Sequence, residues 1–463
     1  MKYKLIAFIL SAIVMASVVV GNYYKQDEVI IEETTEVEHF IKPDTDYLKT
    51  KGLSVFETNL PIIYINTNDQ EIVKNSKVPV YMQITNNEGN EEFNLISNIP
   101  DEEYSCLINY RGASSYSQFD KKQYRINFIK NIDSDKEINV PFMGMGEDSS
   151  WVLNGPYLDK TLMRNKLMYD LGKEILAWSS DSRYCELFID GKYQGVYLAI
   201  EPISNGTCRL RLSKFGLLSG ATSFIVKRDR VGTELDALDN FGTIAGKTVN
   251  ELYLTYPSPA KVTDSEQKWV ENRISNFEKA LYSDNYIKSG DYRNYIDVNN
   301  FVDYYILNEF AMNHDAGNLS TYVYAELNGQ MLLAIWDFNN GFDNYQWFRS
   351  DISELFLAEN AWFDRLVQDP YFMDKVRKRY TELRQSTLSD ENIAQHLEEY
   401  QNTLGDAIDR NFGVWGYSFY IDMLTNSDSV RRTHITSYEI AVNQLEDTIE
   451  RRLKFLDKEF ATE

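Results

Sequence analysis

The sequence is poor in cysteine and histidine. Its three cysteines, Cys106, Cys185 and Cys208, are widely spaced and include no CxxC pair, so they support neither a zinc site nor a dense disulfide framework, although one pair could form outside the cell. The four histidines show no HExxH spacing, and no GxSxG motif is present. These absences argue against a zinc protease and against a serine hydrolase of the α/β type.

Positive charge is also in deficit, because 47 Lys and Arg residues stand against 70 Asp and Glu residues, for a formal net charge of −23. A nucleic-acid partner requires clustered basic side chains that neutralise phosphates, so we expect no nucleic-acid binding. The acidity favours solubility, and it suits basic substrates or cationic surfaces better than acidic ones.

Hydrophobic and aromatic residues are plentiful, at 43% and 14% of the 463 residues. A chain of this length and composition can bury a large core and exceeds one average domain. We therefore expect two lobes or domains.

The N-terminus combines two lysines with an apolar run from Leu5 to Val20. This pattern predicts that residues 1–21 form a signal peptide or a retained membrane anchor. Both alternatives stay open, because the run is near the short limit for a spanning helix and the small-residue cleavage pattern is weak. Residues 22–50 are acidic, have little periodicity and resemble a tether. We expect an exported protein, either anchored in the membrane or extracellular at the cell surface.

Residues 51–463 are predicted to form the folded body, in two parts. The part at about 51–265 alternates apolar and polar residues, as in "VPVYMQIT" and "QYRINFI", which predicts strands; one helix with Asp159 as its N-cap interrupts them. The part at about 266–463 has helical periodicity, as in "DVNNFVDYYILNEFAMN", a helix predicted to start at Asp297. The pattern predicts an α+β fold with a strand-rich N-terminal lobe and a helical C-terminal lobe.

The helical part nevertheless contains one predicted hairpin, because "TYVYAEL" and "QMLLAIW" flank the Asn-Gly dipeptide at 328–329. A two-residue turn at that dipeptide places Ser320 opposite Asp337 and Asn318 opposite Asn339. In this register Asn318 and Asp337 are diagonal neighbours on one face, close enough for both side chains to reach one cation.

The order of elements around this hairpin is helix, Asp315, Asn318, hairpin, Asp337. Protein kinases use the same order: an Asp that orients the acceptor hydroxyl, an Asn ligand of Mg²⁺, a hairpin, and an Asp ligand of Mg²⁺. The spacing from Asp to Asn is shorter than in the kinase signature, so the similarity is one of layout. The alternative is that Asp315 and Asn318 only cap a helix end and a loop.

Five segments carry a more specific resemblance. They are "YRGASSYSQFDKKQYRINF", "WVLNGPYLDKTLMRNKL", "GKYQGVYLAIEPI", "NHDAGNLSTYVY" and "LAIWDFNNGF", which occur in this order between about residues 60 and 345. Together they resemble the CotH kinase family, the spore-coat-protein-H-like atypical protein kinases. The resemblance implies a two-lobed, atypical protein-kinase-like fold that transfers the γ-phosphoryl group of ATP to Ser or Thr of a protein substrate, with Mg²⁺ or Mn²⁺ as cofactor.

The resemblance also implies roles for residues at the matching positions. Asp315 corresponds to the catalytic Asp, Asn318 to a metal ligand and Asp337 to the principal metal ligand. Asn339 belongs to the same metal group, but the family often has Asp at that position. The loss of a carboxylate there is expected to weaken the binding of a second cation.

Contacts to the ATP phosphates are expected from the strand-rich lobe. The segment "RGASSYSQFDKK" supplies Arg111, small residues including Ser114 and Ser115 that let backbone amides approach an anion, and the two lysines Lys121 and Lys122. The family pattern favours Lys121, whereas Lys122 shares strand parity with inward-facing apolar residues, and both stay candidates. The alternative is that both lysines are solvated at a strand start.

Two further charges, Glu201 and Lys227, each close an apolar strand. They either form a Lys–Glu pair that orients phosphates or only mark strand ends. Asp120 departs from the family, which has proline there, and an acidic residue beside the phosphate loop is expected to repel ATP somewhat.

Two classes of function remain open on the sequence. The leading hypothesis is an exported, ATP-dependent Ser/Thr protein kinase that acts on a surface or spore-coat-type protein. The alternative is an exported surface protein that keeps the fold for binding or structure, with weak or no catalysis. An exported glycosidase with paired carboxylates would leave the kinase-like order unexplained.

Overall fold

The computed structural model describes residues 56–86, 93–95, 100–213, 220–231, 236–344, 350–420 and 435–460. The predicted signal peptide or anchor at 1–21 and the predicted tether at 22–50 lie outside these ranges. Within the described residues, no helix combines the length and the apolar character that a membrane span requires.

Strands dominate the first part of the chain. In β3, for example, Val78, Val80, Met82 and Ile84 are buried on one face, as the alternating pattern predicts. In chain order the described strands are β1 (Glu57–Thr58), β2 (Ile62–Asn66), β3 (Val78–Thr85), β4 (Asn94–Leu95), β5 (Glu102–Arg111), β6 (Gln123–Ile129), β7 (Val140–Phe142), β8 (Met145–Asp148), β9 (Ser150–Asn154), β10 (Ser182–Ile189), β11 (Lys192–Ile200), β12 (Phe224–Asp229), β13 (Glu251–Tyr256), β14 (Thr321–Ala325) and β15 (Leu332–Ala334).

A closed barrel forms from part of this set, in the order β10-β11-β9-β6-β5-β3-β2. Neighbouring strands run antiparallel except β10 and β2, which are parallel and close the barrel. The barrel interior is packed with apolar side chains, including those of Cys106 and Cys185. All three cysteines, which lie in the described ranges, are free thiols.

Helices dominate the second part, which together with the strands fits the predicted α+β class. The described α-helices are α1 (Ser114–Gln118), α2 (Arg164–Ile175), α3 (Phe241–Ile244), α4 (Asp264–Leu281), α5 (Tyr286–Ser289), α6 (Val298–Phe310), α7 (Phe363–Leu366), α8 (Pro370–Arg384), α9 (Asp390–Leu404), α10 (Ala407–Trp415) and α11 (Tyr438–Phe460). Single 3₁₀ turns occupy Asp291–Asn294 and Gly416–Phe419.

The predicted helix starts are right for one helix and shifted for another. Asp297 caps α6, because its carboxylate accepts hydrogen bonds from the backbone of Asn299 and Asn300. Helix α2 begins at Arg164 instead of directly after Asp159. The Asp159 carboxylate still accepts the Arg164 backbone N–H, at 2.8 Å. It therefore provides a hydrogen-bond acceptor for a backbone N–H of the first turn, although it lies five residues earlier in the chain.

A second sheet, in the described order β13-β12-β14-β15, combines strands from both sides of the predicted lobe boundary near residue 265. Strands β12 and β13 precede that position, and β14 and β15 follow it, with β12 paired antiparallel to both β13 and β14. This sheet brings β12 next to the hairpin that carries the predicted metal ligands.

The hairpin of β14 and β15 is confirmed, but its predicted register is wrong by one residue. Tyr322 lies opposite Ala334, and Val323 opposite Leu333. The turn is longer than two residues, because Gly329 donates its N–H to the Glu326 carbonyl and Met331 then bonds to Tyr295 outside the hairpin. Ser320 and Asp337 consequently lie beyond the paired strands, although their side chains still meet.

Candidate active site

A cavity of about 430 Å³ opens where the ends of β5, β6, β12 and α2 meet the hairpin. It is lined by many of the residues that the sequence singled out, and these come from segments more than 200 residues apart. The predicted site residues that line the cavity are Arg111, Ser114, Ser115, Lys227, Asp315, Asp337 and Asn339.

Asp337 follows β15 and adopts a left-handed backbone conformation with a φ of 63°. For a non-glycine residue this conformation is uncommon and costs on the order of 1–3 kcal/mol, and such residues concentrate at functional sites. Ser320, which also has a positive φ, approaches the Asp337 carboxylate with its hydroxyl at 3.4 Å. The backbone thus holds the Asp337 side chain toward the cavity at a cost in local stability.

A chain of hydrogen-bonded side-chain amides, called the amide chain below, contacts the other side of Asp337. Asn165 of α2 accepts the Phe338 backbone N–H at 2.8 Å and donates its amide N–H to Asn339 Oδ1, also at 2.8 Å. Asn339 in turn donates its own amide N–H to Asp337 Oδ1. In this arrangement Asn339 presents nitrogen, not oxygen, to the carboxylate, while its oxygen is occupied by Asn165.

Asp315 lies in the turn after α6, where its carbonyl accepts the Leu319 backbone N–H at 2.7 Å. Its carboxylate receives the amide of Asn340 at 3.4 Å and lines the same cavity as Asp337. Burial and the nearby charge of Asp337 raise the pKa of Asp315 to about 6. This carboxyl group is therefore poised to exchange a proton close to neutral pH.

Three basic side chains, Arg111, Lys227 and Arg230, line the cavity beside the carboxylates. Burial raises the pKa of the Asp337 carboxyl, and the positive charges of Arg111 and Lys227 oppose that rise. Arg111, at the end of β5, donates to Gln123 at 2.9 Å. The cavity thus combines buried carboxylates with cationic groups, as a site for a metal-bound anionic ligand requires.

The loop between β5 and β6 forms one wall of the cavity and includes the short helix α1. Gly112 has a φ of 90°, and a Cβ at this position would overlap Ser115 Oγ, so only glycine fits. Ser114 Oγ accepts a hydrogen bond from Arg230 Nη1 at 3.2 Å, which ties the loop to the end of β12. Small residues therefore leave this wall open to a ligand's anionic groups.

Some predicted site residues lie elsewhere. Asn318 does not line the cavity; its amide donates to Asn360 Oδ1 at 2.5 Å, which turns the side chain toward the loop before α7. Glu201 is buried in an ion pair with Arg209, at 2.5 Å. Lys227 pairs with Asp229 and not with Glu201, so the predicted Lys–Glu pair is wrong.

Neither lysine of the "DKK" segment lines the cavity. Lys121 is 1% exposed and donates to the Val196 carbonyl and to Asn411 of α10, at 2.6 and 2.7 Å. Lys122 is half-buried and donates to carbonyls within the loop. The expected inward position of Lys122 is therefore reversed, because Lys121 precedes β6 in a bend where strand parity does not apply.

Asp120 has a partner that the sequence did not reveal. Its carboxylate accepts a hydrogen bond from the hydroxyl of Tyr417 at 2.7 Å. Tyr417 lies in the 3₁₀ turn after α10. Asp120 does not line the cavity. The charge that was expected to repel ATP is therefore engaged outside the pocket.

Sequence reasoning missed Asp229, Arg230, Ser320 and Asn340, which all line the cavity. Asp229 follows Lys227 by two residues on β12, so strand periodicity places both on one face and was the available signal. Asn340 belongs to the Asn-rich run that follows Asp337 in the sequence. The Arg230 contact to Ser114 joins residues 116 positions apart and had no local signal.

The donor set suits a divalent cation together with a phosphorylated ligand. Carboxylates of Asp337 and Asp315 and the hydroxyl of Ser320 are hard oxygen donors on one cavity. Among the described residues no cluster of three or more acidic, His or Cys side chains forms a complete protein cage for a metal. Mg²⁺ commonly binds proteins through one or two carboxylates and takes its other ligands from phosphate and water.

Comparison with known proteins identifies the family of the chain. The family model described as CotH kinase protein matches residues 108–456, which include every residue named above as lining the cavity. The chain is also 25% identical over 301 residues to inner spore coat protein H of Bacillus subtilis (strain 168), which covers 63% of this chain and 73% of that protein. The chain belongs to the CotH kinase protein family.

Proposed function

We propose that the protein is an ATP-dependent protein kinase that transfers phosphate to Ser or Thr of a protein substrate. The observation that carries the proposal is the meeting of Asp315 and Asp337 on one cavity with Arg111 and Lys227. Family membership supports the same class of activity. Phosphoryl transfer depends mainly on positioning and charge neutralisation, which this set of groups supplies.

Each group has a role in the proposed reaction. Asp315 accepts the proton of the acceptor hydroxyl as the hydroxyl oxygen attacks the γ-phosphorus of ATP, and ADP leaves. Asp337 would hold Mg²⁺ or Mn²⁺, which would neutralise charge on the phosphates. Arg111 and Lys227 contact phosphate oxygens. Ser114 and Ser115 keep the loop small enough for its backbone amides to approach the ligand.

The relative and the N-terminal sequence support a location and a class of acceptor for the proposed kinase. The similar Bacillus subtilis protein is named an inner spore coat protein. With the export pattern at residues 1–21, this supports a protein of the cell surface or of a coat, whose substrate is a neighbouring surface or coat protein. Membrane attachment through residues 1–21 belongs to the same proposal.

A second candidate is a surface protein that keeps this fold for binding with little catalysis. The observation that favours it is the amide chain at Asn339, whose nitrogen faces Asp337 and whose oxygen bonds to Asn165. An amide held in this way does not ligate a second cation, so phosphoryl transfer would rely on one. The kinase candidate needs Asp315 for phosphoryl transfer, whereas the binding candidate does not need Asp315.

The test incubates the purified chain with radiolabelled ATP and either Mg²⁺ or Mn²⁺, beside Asp315→Asn and Asp337→Asn variants. We expect label on protein Ser or Thr for the unmodified chain and at least a thousandfold slower labelling for both variants. Asp135→Asn is the matched control, because Asp135 is exposed and does not line the cavity. Labelling that persists in the Asp315→Asn or the Asp337→Asn variant would refute the assignment of that residue to phosphoryl transfer.

If no label appears with either metal, the binding candidate is tested with the same proteins. A rise in the melting temperature with ATP that Asp337→Asn removes would keep the site as a nucleotide-binding site without transfer. If ATP leaves the melting temperature unchanged, the nucleotide site itself is refuted.

A further inference from the structure

Lys227 and Asp229 form an ion pair on the face of β12 that borders the cavity. The residues are two apart on the strand, so their side chains share that face, while Arg228 points to the other side. Both side chains are about three-quarters buried, with 27% and 25% of their surface exposed. The pair is therefore held at the border of the cavity, where solvent weakens it less than on an open surface.

The Asp229 carboxylate is itself fixed in place. Its Oδ1 accepts the backbone N–H of Arg230 at 2.9 Å, and its Oδ2 faces Lys227. This hydrogen bond comes from the next residue in the chain and needs no other element. Asp229 thus presents one oxygen to the lysine as a rigid partner.

A second carboxylate, that of Asp337, lines the same cavity as Lys227. Its positive charge favours the ionised form of Asp337, and both side chains line the cavity. Burial raises the pKa of the Asp337 carboxyl, and opposite charges attract more strongly where water is excluded. A lysine released from Asp229 would therefore move toward Asp337 and occupy the oxygens that a cation needs.

The Arg111 guanidinium is not free to move toward Asp337 in the way proposed for Lys227. The Arg111 guanidinium donates to Gln123 and lies over the ring of Trp336, 5.7 Å from its centroid. Arg111 and Trp336 therefore hold each other beside Asp337. The Lys227 ammonium lies 5.7 Å from the centroid of the Tyr322 ring and has Asp229 as its ion-pair partner.

We propose that Asp229 holds Lys227 away from Asp337 and so keeps the Asp337 carboxylate available to a divalent cation. Asp229 is then a positioning residue, because it acts through Lys227 and touches neither cation nor phosphate. The inference rests on the proposed function in one respect, that Asp337 binds the cation. It adds a residue that the kinase-like layout did not include.

The proposal predicts an effect on metal binding that depends on the lysine. In Asp229→Asn the side chain keeps its size and its oxygen for the Arg230 N–H but loses the negative charge, so Lys227 pairs with Asp337. We expect Mn²⁺ affinity to fall about tenfold or more without nucleotide present. In Lys227→Met the competitor is absent, and affinity equals or exceeds that of the unmodified chain. The double variant Lys227→Met/Asp229→Asn should bind like Lys227→Met.

The experiment titrates Mn²⁺ into the full chain and follows free Mn²⁺ by electron paramagnetic resonance. The variants are Asp229→Asn, Lys227→Met, the double variant and Asp337→Asn, and the melting temperature of each establishes that it is folded. Weak binding in Asp229→Asn that the double variant restores is the expected result. Equal affinity of Asp229→Asn and the unmodified chain, or weak binding that Lys227→Met does not restore, overturns the inference.

The two levels of failure are distinguishable. If the unmodified chain binds no Mn²⁺, or if Asp337→Asn binds it equally well, the cation site of the proposed function is refuted and the role of Asp229 falls with it. If Asp337→Asn abolishes binding but Asp229→Asn does not change it, only the role of Asp229 is refuted. A pair that is merely structural would lower the melting temperature and leave the Mn²⁺ affinity unchanged.

Discussion

At the scale of single residues, the site keeps an aspartate in an unfavourable setting. The pKa of Asp315 is raised from 3.8 to about 6 by burial and by the charge of Asp337. A carboxyl group whose pKa is higher in the folded chain than in the unfolded chain binds more protons when folded, so stability falls as pH rises from about 4 to 6. Above pH 6 Asp315 is ionised in the folded chain, and its burial then lowers the free energy of unfolding by the full amount of this penalty.

Replacing Asp315 with Asn removes this penalty, so we expect the variant to be more stable than the unmodified chain at pH 8, by about 2–3 kcal/mol. At pH 4 most of the difference should be lost, because the aspartate is then protonated in the folded chain and partly protonated in the unfolded chain. Urea unfolding without added metal at both pH values measures it, with exposed Asp135→Asn as the control. A difference that is the same at pH 4 and pH 8 would contradict the assigned proton affinity.

At the scale of elements, the loop between β5 and β6 depends on Gly112. Its φ of 90° and the overlap that an added methyl group would have with Ser115 Oγ mean that Gly112→Ala must displace the loop. We expect the Kd for ATP to rise about tenfold, because the backbone amides no longer converge on the phosphates, with a stability loss of about 1 kcal/mol. Isothermal titration with an ATP analogue measures the Kd.

Gly246→Ala is a matched control for that substitution. Gly246 also has a positive φ, of 64°, but an added methyl group there would have no neighbour within 4 Å, and Gly246 does not line the cavity. We expect it to cost similar stability and to leave the Kd for ATP unchanged. Equal Kd values for Gly112→Ala and the unmodified chain would mean that the loop does not bind phosphate.

The elements themselves were predictable where the signal is local. Strand β3 and strand β6 have the bounds that alternation predicts, and α6 begins directly after Asp297, where its pattern predicts the helix start. The hairpin register was missed because it depends on Met331, which bonds to Tyr295 outside the hairpin.

The site residues were likewise predictable where the sequence signal is local and not where it depends on distant partners. Asp315 and Asp337 were found because each ends an element with a clear pattern. Asn318 was placed at the metal because the predicted hairpin register made it a diagonal neighbour of Asp337, but its partner is Asn360, 42 residues away. The partners of Lys121 and Glu201 likewise come from distant or irregular segments, Asn411 and Arg209. Local periodicity carries no information on such contacts.

At the scale of the whole molecule, one buried ion pair links the last helix to the site. Arg452 of α11 and Glu309 of α6 are both fully buried, with 2.9 Å between Arg452 Nη2 and Glu309 Oε2. Glu309 also accepts the backbone N–H groups of Phe356 and Leu357, and Arg452 donates to carbonyls of the same segment. Asp315 follows α6 by a few residues, so this network fixes the end of the helix that leads to it.

Removing one partner leaves the other as an unpaired buried charge, which is more costly than removing both. We expect Arg452→Met to lower the free energy of unfolding by about 3–5 kcal/mol, and Arg452→Met/Glu309→Gln to recover part of that loss. The control is Arg451→Met on the same helix, since Arg451 is 59% exposed in its pair with Asp447 and such surface pairs contribute about 0–1 kcal/mol. Urea unfolding measures all three, and equal stability of Arg452→Met and Arg451→Met would show that the buried pair does not hold α11 on α6.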